Sequence, residues 1–157
     1  MCASCATNKN ADEVIVKGNV GYDFTLANLS VKYIETGDSL ILSDIVQTAG
    51  LQLLYNHANW SGNNSEKISL SDFAKSIIDR DHKRINISQI RSNLQYAKDS
   101  IATTDYPQKI CLHYLPEGFS FSSKLCFTVG YDLGIVYQNN ASINLSHKHY
   151  LENPSEL

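Results

Sequence analysis

The chain has 157 residues, of which 43% are hydrophobic and 18% are charged, the proportions of a globular protein. Its formal net charge of −3 gives the chain as a whole no electrostatic attraction to nucleic acid or to an anionic membrane. No apolar run approaches the length needed to cross a bilayer, and the opening MCASCATNKN lacks the apolar centre of a secretory signal. We therefore expect a cytoplasmic protein, or one in an assembled particle, with no membrane partner.

The chain divides by composition into an arm, a domain and a tail. Residues 1–12 are small and polar and predict a flexible N-terminal arm. Residues 13–150 have the length and composition of a single domain, and 151–157 form a polar tail. Four cysteines without a secretory signal predict reduced thiols rather than a disulfide framework.

The first predicted elements are strands. Strand signals begin at Glu13–Lys17 and resume across Phe24–Glu35, where Leu26, Val31 and Tyr33 sit among polar neighbours. The following Thr-Gly-Asp predicts a turn, so that Ser39–Leu42 would return as the second arm of a hairpin.

The middle block, Ser43 to Thr103, predicts three helices. The first begins at Ser43, runs to about His57 and contains Gly50, which we expect to serve close packing. The second begins with Ser69 and Asp72, which resemble a capping box, and has one apolar stripe. That stripe consists of Leu70, Phe73, Ala74, Ile77 and Ile78.

The third helix has Asn86 as its predicted cap, with Gln89 three residues later. Helical spacing divides it into a buried face and an outward polar face. The buried face consists of Ile87, Ile90, Leu94, Ala97 and Ile101. The outward face consists of Ser88, Arg91, Ser92, Gln95 and Lys98.

Strand signals return after Pro107. They cover Lys109–Leu115, Phe119–Tyr131, Gly134–Gln138 and Ser142–Ser146. The longest of these alternates between apolar and polar residues, which predicts one buried face and one outward face. The predicted buried residues are Phe121, Leu125, Phe127 and Val129, and the predicted outward residues are Ser122, Lys124, Cys126 and Thr128.

Together these elements predict an α+β fold. An antiparallel sheet would form from the N- and C-terminal strands, and the three-helix middle block would pack on one face of it. The order of helix, short strand at Lys67–Ser69, two helices and hairpin also matches a winged-helix arrangement. In that alternative the helix at 87–103 would present its outward polar face to DNA. Residues 40–104 hold seven Lys/Arg against six Asp/Glu, a weak charge for binding phosphates.

A metal site is a further alternative. Cys2 and Cys5 have the spacing of two zinc ligands, and Cys111, Cys126 and His113 on neighbouring strands would complete a site. A second CxxC pair is missing, which favours free thiols and no cofactor over zinc.

No catalytic motif occurs in the sequence. It contains no G-x-S-x-G, no P-loop, no H-E-x-x-H and no G-x-G-x-x-G, and its five histidines are scattered. Nine tyrosines and five phenylalanines concentrate in the predicted strands, and tyrosine is frequent at protein interfaces. We therefore expect a non-enzymatic assembly subunit, such as a structural component of a phage virion, that binds a protein partner or itself. The alternative is the winged-helix DNA-binding module.

Overall fold

The computed structural model describes residues 13–63, 67–82, 86–104, 113–114, 116–117 and 121–153, with the backbone alone at 79–82. The fold is α+β, as predicted, and in the described part six helices pack against a five-stranded sheet. The strands are β1 (Val14–Lys17), β2 (Val20–Asp23), β3 (Ser123–Thr128), β4 (Gly134–Tyr137) and β5 (Asn140–Asn144). The helices are α1 (Thr25–Thr36), α2 (Ser39–Val46), α3 (Ala49–Ser61), α4 (Leu70–His82), α5 (Ile87–Thr103) and α6 (Lys148–Glu152).

The sheet is mixed, so the prediction of a purely antiparallel sheet was wrong. Its strand order is β1-β2-β3-β5-β4. The two outer pairs are antiparallel, whereas β3 runs parallel to both β2 and β5. The long helical crossover between β2 and β3 allows these two strands to run parallel. Strand β5 is parallel to β3 because β4 lies between them in sequence but at the edge of the sheet, antiparallel to β5.

Helices cover both faces of the sheet, rather than one face as predicted. Successive residues of β3 point to opposite faces, and Cys126 and Phe127 belong to different apolar clusters. Cys126 packs with α1, α2, α3 and α4, whereas Phe127 packs with α1 and α5 and stacks on Phe24 at 4.3 Å between ring centroids. Cys126 and Thr128 were expected to face outward, but each is only 1% exposed because the second face is also covered.

Helix α1 occupies the region where a strand was predicted. Leu26 and Leu29 pack into the cluster of Cys126, while Ala27 and Val31 pack into the cluster of Phe127. A helix buried on two sides has no single apolar stripe, which explains why its period of 3.6 was missed.

The predicted hairpin is a junction between two helices. Gly37, with φ of +65°, ends α1 by donating its N–H to the carbonyl of Tyr33. The side chain of Asp38 then accepts a hydrogen bond from the N–H of Leu40 and begins α2. The helix expected from Ser43 to His57 is interrupted, since α2 ends at Val46 and Thr48 caps α3.

The next two helices confirm the predicted caps. Ser69 accepts a hydrogen bond from the N–H of Asp72 and donates one to its carboxylate. Asn86 accepts a hydrogen bond from the N–H of Gln89. Both helices bury the apolar residues expected of them, except that Leu70 and Ile87 are half-buried.

Several other predicted elements differ from the structure or lie outside the described residues. The strand predicted at 109–115 lies outside them, except for His113 and Tyr114, which are exposed and belong to no strand. No strand forms at Lys67–Ser69, and β3 begins at Ser123 rather than at Phe119, which also lies outside the description. Part of the region expected to be a loose tail forms the short helix α6.

Candidate functional site

The outward face of α5 is exposed except at Lys98, which is half-buried, and its side chains are largely engaged with their own neighbours. Ser92 donates to the carbonyl of Ser88, and the amide of Gln95 donates to Asp99. Arg91 forms a bidentate ion pair with Glu35 of α1, with N–O distances of 2.6 and 2.7 Å to Nη2. The carboxylate of Glu35 compensates the positive charge of Arg91, so α5 offers little uncompensated charge to a phosphate backbone. The ammonium of Lys98 lies 5.2 Å from the ring centroid of Phe24.

Of the four proposed cysteine ligands, the structure describes Cys126 alone. Burial, chiefly, and the nearby carboxylate of Asp23 raise the pKa of the Cys126 thiol to about 12. Cys2, Cys5 and Cys111 lie outside the described residues, and within the described ranges no three His, Cys, Asp or Glu side chains converge as metal ligands. The zinc site therefore stays a prediction, and the orientation on which it relied at Cys126 was wrong.

Four aromatic residues form a second candidate site, which we call the aromatic patch: His57, Trp60, Tyr131 and Tyr137. Trp60 lies near the end of α3 and its side chain is 72% exposed. Its ring centroid lies 5.9 Å from that of His57 and 6.1 Å from that of Tyr137. The His57 ring also lies edge-on to Tyr131 and Tyr137. The patch is thus a packed aromatic surface rather than a single exposed ring.

Tyr131, one of the four residues of this patch, has an unusual backbone conformation. Its φ is +73°, a region that bulky L-residues rarely adopt. The buried Asn144 holds this loop in place, since its carboxamide oxygen accepts hydrogen bonds from the N–H groups of Gly130 and Ser146. The Tyr131 ring packs edge-on against Phe73, and its hydroxyl lies 3.2 Å from Nδ1 of His57. Tertiary contacts therefore fix the position of the patch.

The aromatic patch borders one edge of the sheet. Strand β4 ends the strand order, and no other strand in the described part of the chain pairs with its outer side. Tyr137 belongs to the aromatic patch on one face, whereas Val136 points to the other face and is 75% exposed. Val136 and Ala141 also line a shallow cleft of about 450 Å³ with Phe121 and Gln138. Unpaired strand edges can bind another strand through their backbone groups, and here apolar side chains flank the edge on both faces.

Sequence reasoning missed Trp60, which lies beyond the predicted end of the first helix at about His57. The available signal was compositional, because Trp60 is the only tryptophan in the chain and it stands beside polar residues at a helix end. Tryptophan and tyrosine supply large contact areas with small losses of side-chain freedom, and they are enriched at interfaces. The arrangement around Trp60 is suited to contact with another macromolecule.

No protein-family model matches the sequence, and neither a curated protein nor a solved structure shows significant similarity to it. Within the described ranges, every helix is too short or too polar to cross a bilayer.

Proposed function

We propose that this protein is a non-enzymatic assembly subunit that binds a second copy of itself through the aromatic patch and the edge of β4. The exposed Trp60, packed against Tyr137 beside an unpaired strand, carries this proposal. Aromatic residues that can be fully desolvated at the centre of a contact contribute most to binding energy.

The geometry of an edge strand favours a symmetric partner. Two copies of β4 related by a twofold axis perpendicular to the sheet would pair antiparallel and continue the sheet from one subunit into the next. The same operation would place Trp60 and Val136 of each copy against the other subunit, one on each face of the shared sheet. This pairing would satisfy the backbone groups of the edge and remove both apolar side chains from water.

Sedimentation velocity over about a hundredfold range of protein concentration tests the proposal, because the dimer fraction depends on concentration. We expect the native chain to dimerise and the Trp60→Ser and Val136→Lys variants to dimerise at least about tenfold more weakly. Leu40→Ser is the matched control, since Leu40 is equally exposed and belongs to α2, which contributes no residue to the patch. All four proteins should retain the same circular dichroism spectrum.

A chain that stays monomeric over the whole range would contradict self-assembly. A Leu40→Ser variant that dissociates as readily as Trp60→Ser would contradict the assignment of the contact to the aromatic patch, because the loss would then not be specific to that surface.

The DNA-binding alternative is tested by charge reversal on α5. The pairing of Arg91 with Glu35 argues against it, and the assembly account expects no tight binding to duplex DNA. Tight, salt-sensitive duplex binding by a monomeric protein, lost in Arg91→Glu, would replace the assembly account with the DNA-binding module.

A further inference from the structure

A cleft of about 310 Å³ with both polar and apolar walls lies between α1 and α5, on the part of the molecule where Arg91 pairs with Glu35. Its walls include Glu13, Asn28, Lys32, Arg91, Leu94 and Lys98. The volume is at the lower end of the range for small-molecule sites. Nothing in the assembly proposal uses this cleft.

Two ammonium groups of the cleft are available to a ligand. Lys32 of α1 and Lys98 of α5 form no ion pair within 4 Å among the described residues, although both act electrostatically on Glu13. Lys98 is held over the ring of Phe24, which restricts its position without neutralising its charge. Arg91 is already neutralised by Glu35, so Lys32 and Lys98 supply the cationic character.

Glu13 adds a carboxylate, a hydrogen-bond acceptor, to the cleft. Its backbone is fixed at the start of the sheet, because the Glu13 carbonyl accepts a hydrogen bond from the N–H of Phe24 at 2.9 Å. Its Oε2 atom is buried without a hydrogen-bond partner. Burial raises the pKa of this carboxyl, and the nearby Lys32 and Lys98 oppose the rise. An unpartnered buried acceptor is costly, and a rotation of the Glu13 side chain that brought this oxygen to a donor in the cleft would recover that energy.

We propose that this cleft binds a small ligand that joins an oxyanion, either phosphate or carboxylate, to an ammonium group. Lys32 and Lys98 bind the oxyanion, and the Glu13 carboxylate, turned toward the cleft, accepts a hydrogen bond from the donor group. A simple anion would leave Oε2 of Glu13 without a hydrogen-bond partner and place a like charge near this carboxylate, so both groups of the ligand are required.

Isothermal titration calorimetry with three probes tests the site. Phosphoethanolamine joins a phosphate to an ammonium, ethyl phosphate lacks the ammonium, and β-alanine replaces the phosphate with a carboxylate at similar spacing. We expect saturable binding of phosphoethanolamine or β-alanine, and the tighter of the two identifies the oxyanion. Ethyl phosphate should bind about tenfold more weakly than phosphoethanolamine, because a charge-assisted hydrogen bond is lost.

Single substitutions test which side chains of the cleft contact the ligand. Lys32→Gln and Lys98→Gln should weaken binding of the preferred probe by about tenfold or more. Lys75→Gln, on the exposed side of α4, makes the same charge change outside the cleft and should leave binding unchanged. Glu13→Gln should abolish the preference for phosphoethanolamine over ethyl phosphate. Amide shifts in the native chain should map to Asn28 and Leu94, which gives a readout independent of any variant.

Absence of saturable binding of both ammonium-bearing probes up to about 10 mM would overturn the proposal. An equal loss of affinity in Lys75→Gln would also overturn it, because the binding would then reflect net charge. A Glu13→Gln variant that kept the full preference for phosphoethanolamine would refute the role of Glu13 and with it the two-group ligand.

Discussion

The hydroxyl oxygen of Tyr131 lies 3.2 Å from Nδ1 of His57, although 74 residues separate them in the chain. This contact joins α3 to the loop after β3 and orients two rings of the aromatic patch. Tyr131 also has a φ of +73°, so its surroundings must stabilise a conformation that the residue would otherwise avoid.

Removing that hydroxyl should loosen the aromatic patch. Tyr131→Phe keeps the ring against Phe73 but loses the contacts of the hydroxyl with His57 and Asn63, so we expect a loss of about 0.5–1.5 kcal/mol in the free energy of unfolding. Tyr33→Phe is the control, because Tyr33 is half-buried and its hydroxyl makes no hydrogen bond within the described residues. Urea denaturation measures both variants, and equal effects would mean that the hydrogen bonds of the Tyr131 hydroxyl contribute nothing.

Gly50 permits the close approach of α3 to its neighbours, as its position inside a predicted helix suggested. A methyl group there would lie 3.1 Å from both Cβ and Cδ2 of Leu26. Gly50→Ala should therefore destabilise the fold by about 1–2 kcal/mol, since overpacking outweighs the gain in helix propensity. Gly21→Ala meets no atom within 4 Å and should cost nothing. Thermal melts of the two variants provide the comparison, and a more stable Gly50→Ala protein would contradict it.

Phe127 should be one of the most sensitive positions of the sheet. It is buried and stacks on Phe24 with an angle of 2° between the ring planes. Phe127→Ala should lower the free energy of unfolding by about 3–5 kcal/mol, as truncation of a buried aromatic residue does. Phe127→Leu fills more of the space and should lose markedly less. A thermal melt unchanged by the alanine substitution would show that the Phe24–Phe127 stack does not stabilise the fold.

The Cys126 thiol should be inert in the folded protein. Its pKa is raised to about 12 by burial, chiefly, and by Asp23, so it stays protonated at neutral pH and solvent does not reach it. In a Cys2→Ser, Cys5→Ser, Cys111→Ser background, iodoacetamide should label Cys126 only in denaturant. Rapid labelling of the native variant at pH 8 would contradict the burial of this thiol.

The Cys126 thiol should also make the stability of the fold fall as the pH rises. The unfolded thiol ionises near its ordinary pKa of 9.0, whereas the folded thiol stays protonated until about pH 12. Between these values the folded state binds more protons, so the stability contributed at this site is full below pH 9 and falls as the pH rises. Cys126→Ala should flatten that part of the stability profile, measured by urea denaturation between pH 8 and pH 10. An unchanged slope in Cys126→Ala would contradict the assignment.

Local signals in the sequence were sufficient for α4 and α5. The Ser69–Asp72 pair and the Asn86 cap act within one helical turn, and each helix has one buried face. The same reasoning failed at α1, because Leu26 and Ala27 pack into different clusters and blur the helical period.

Features formed by residues that are distant in the chain could not be predicted from the sequence. The parallel pairing of β3 with β2 depends on how the helical crossover packs, and residues near Tyr22 and Leu125 carry no sign of their register. The aromatic patch has the same origin, since His57 and Tyr131 meet only after the fold has formed. The exposed Trp60 can be identified as part of a candidate site only when these neighbours are known.

The fluorescence of Trp60 tests the assembly proposal most directly, because it is the only tryptophan in the chain and lies in the proposed contact. If two copies pair along β4, the emission of Trp60 should shift to shorter wavelength and become less accessible to acrylamide as the protein concentration rises. Val136→Lys, on the opposite face of β4, should prevent that shift without touching the indole ring. Emission that remains that of a water-exposed tryptophan at every concentration, with unchanged quenching, would contradict the account.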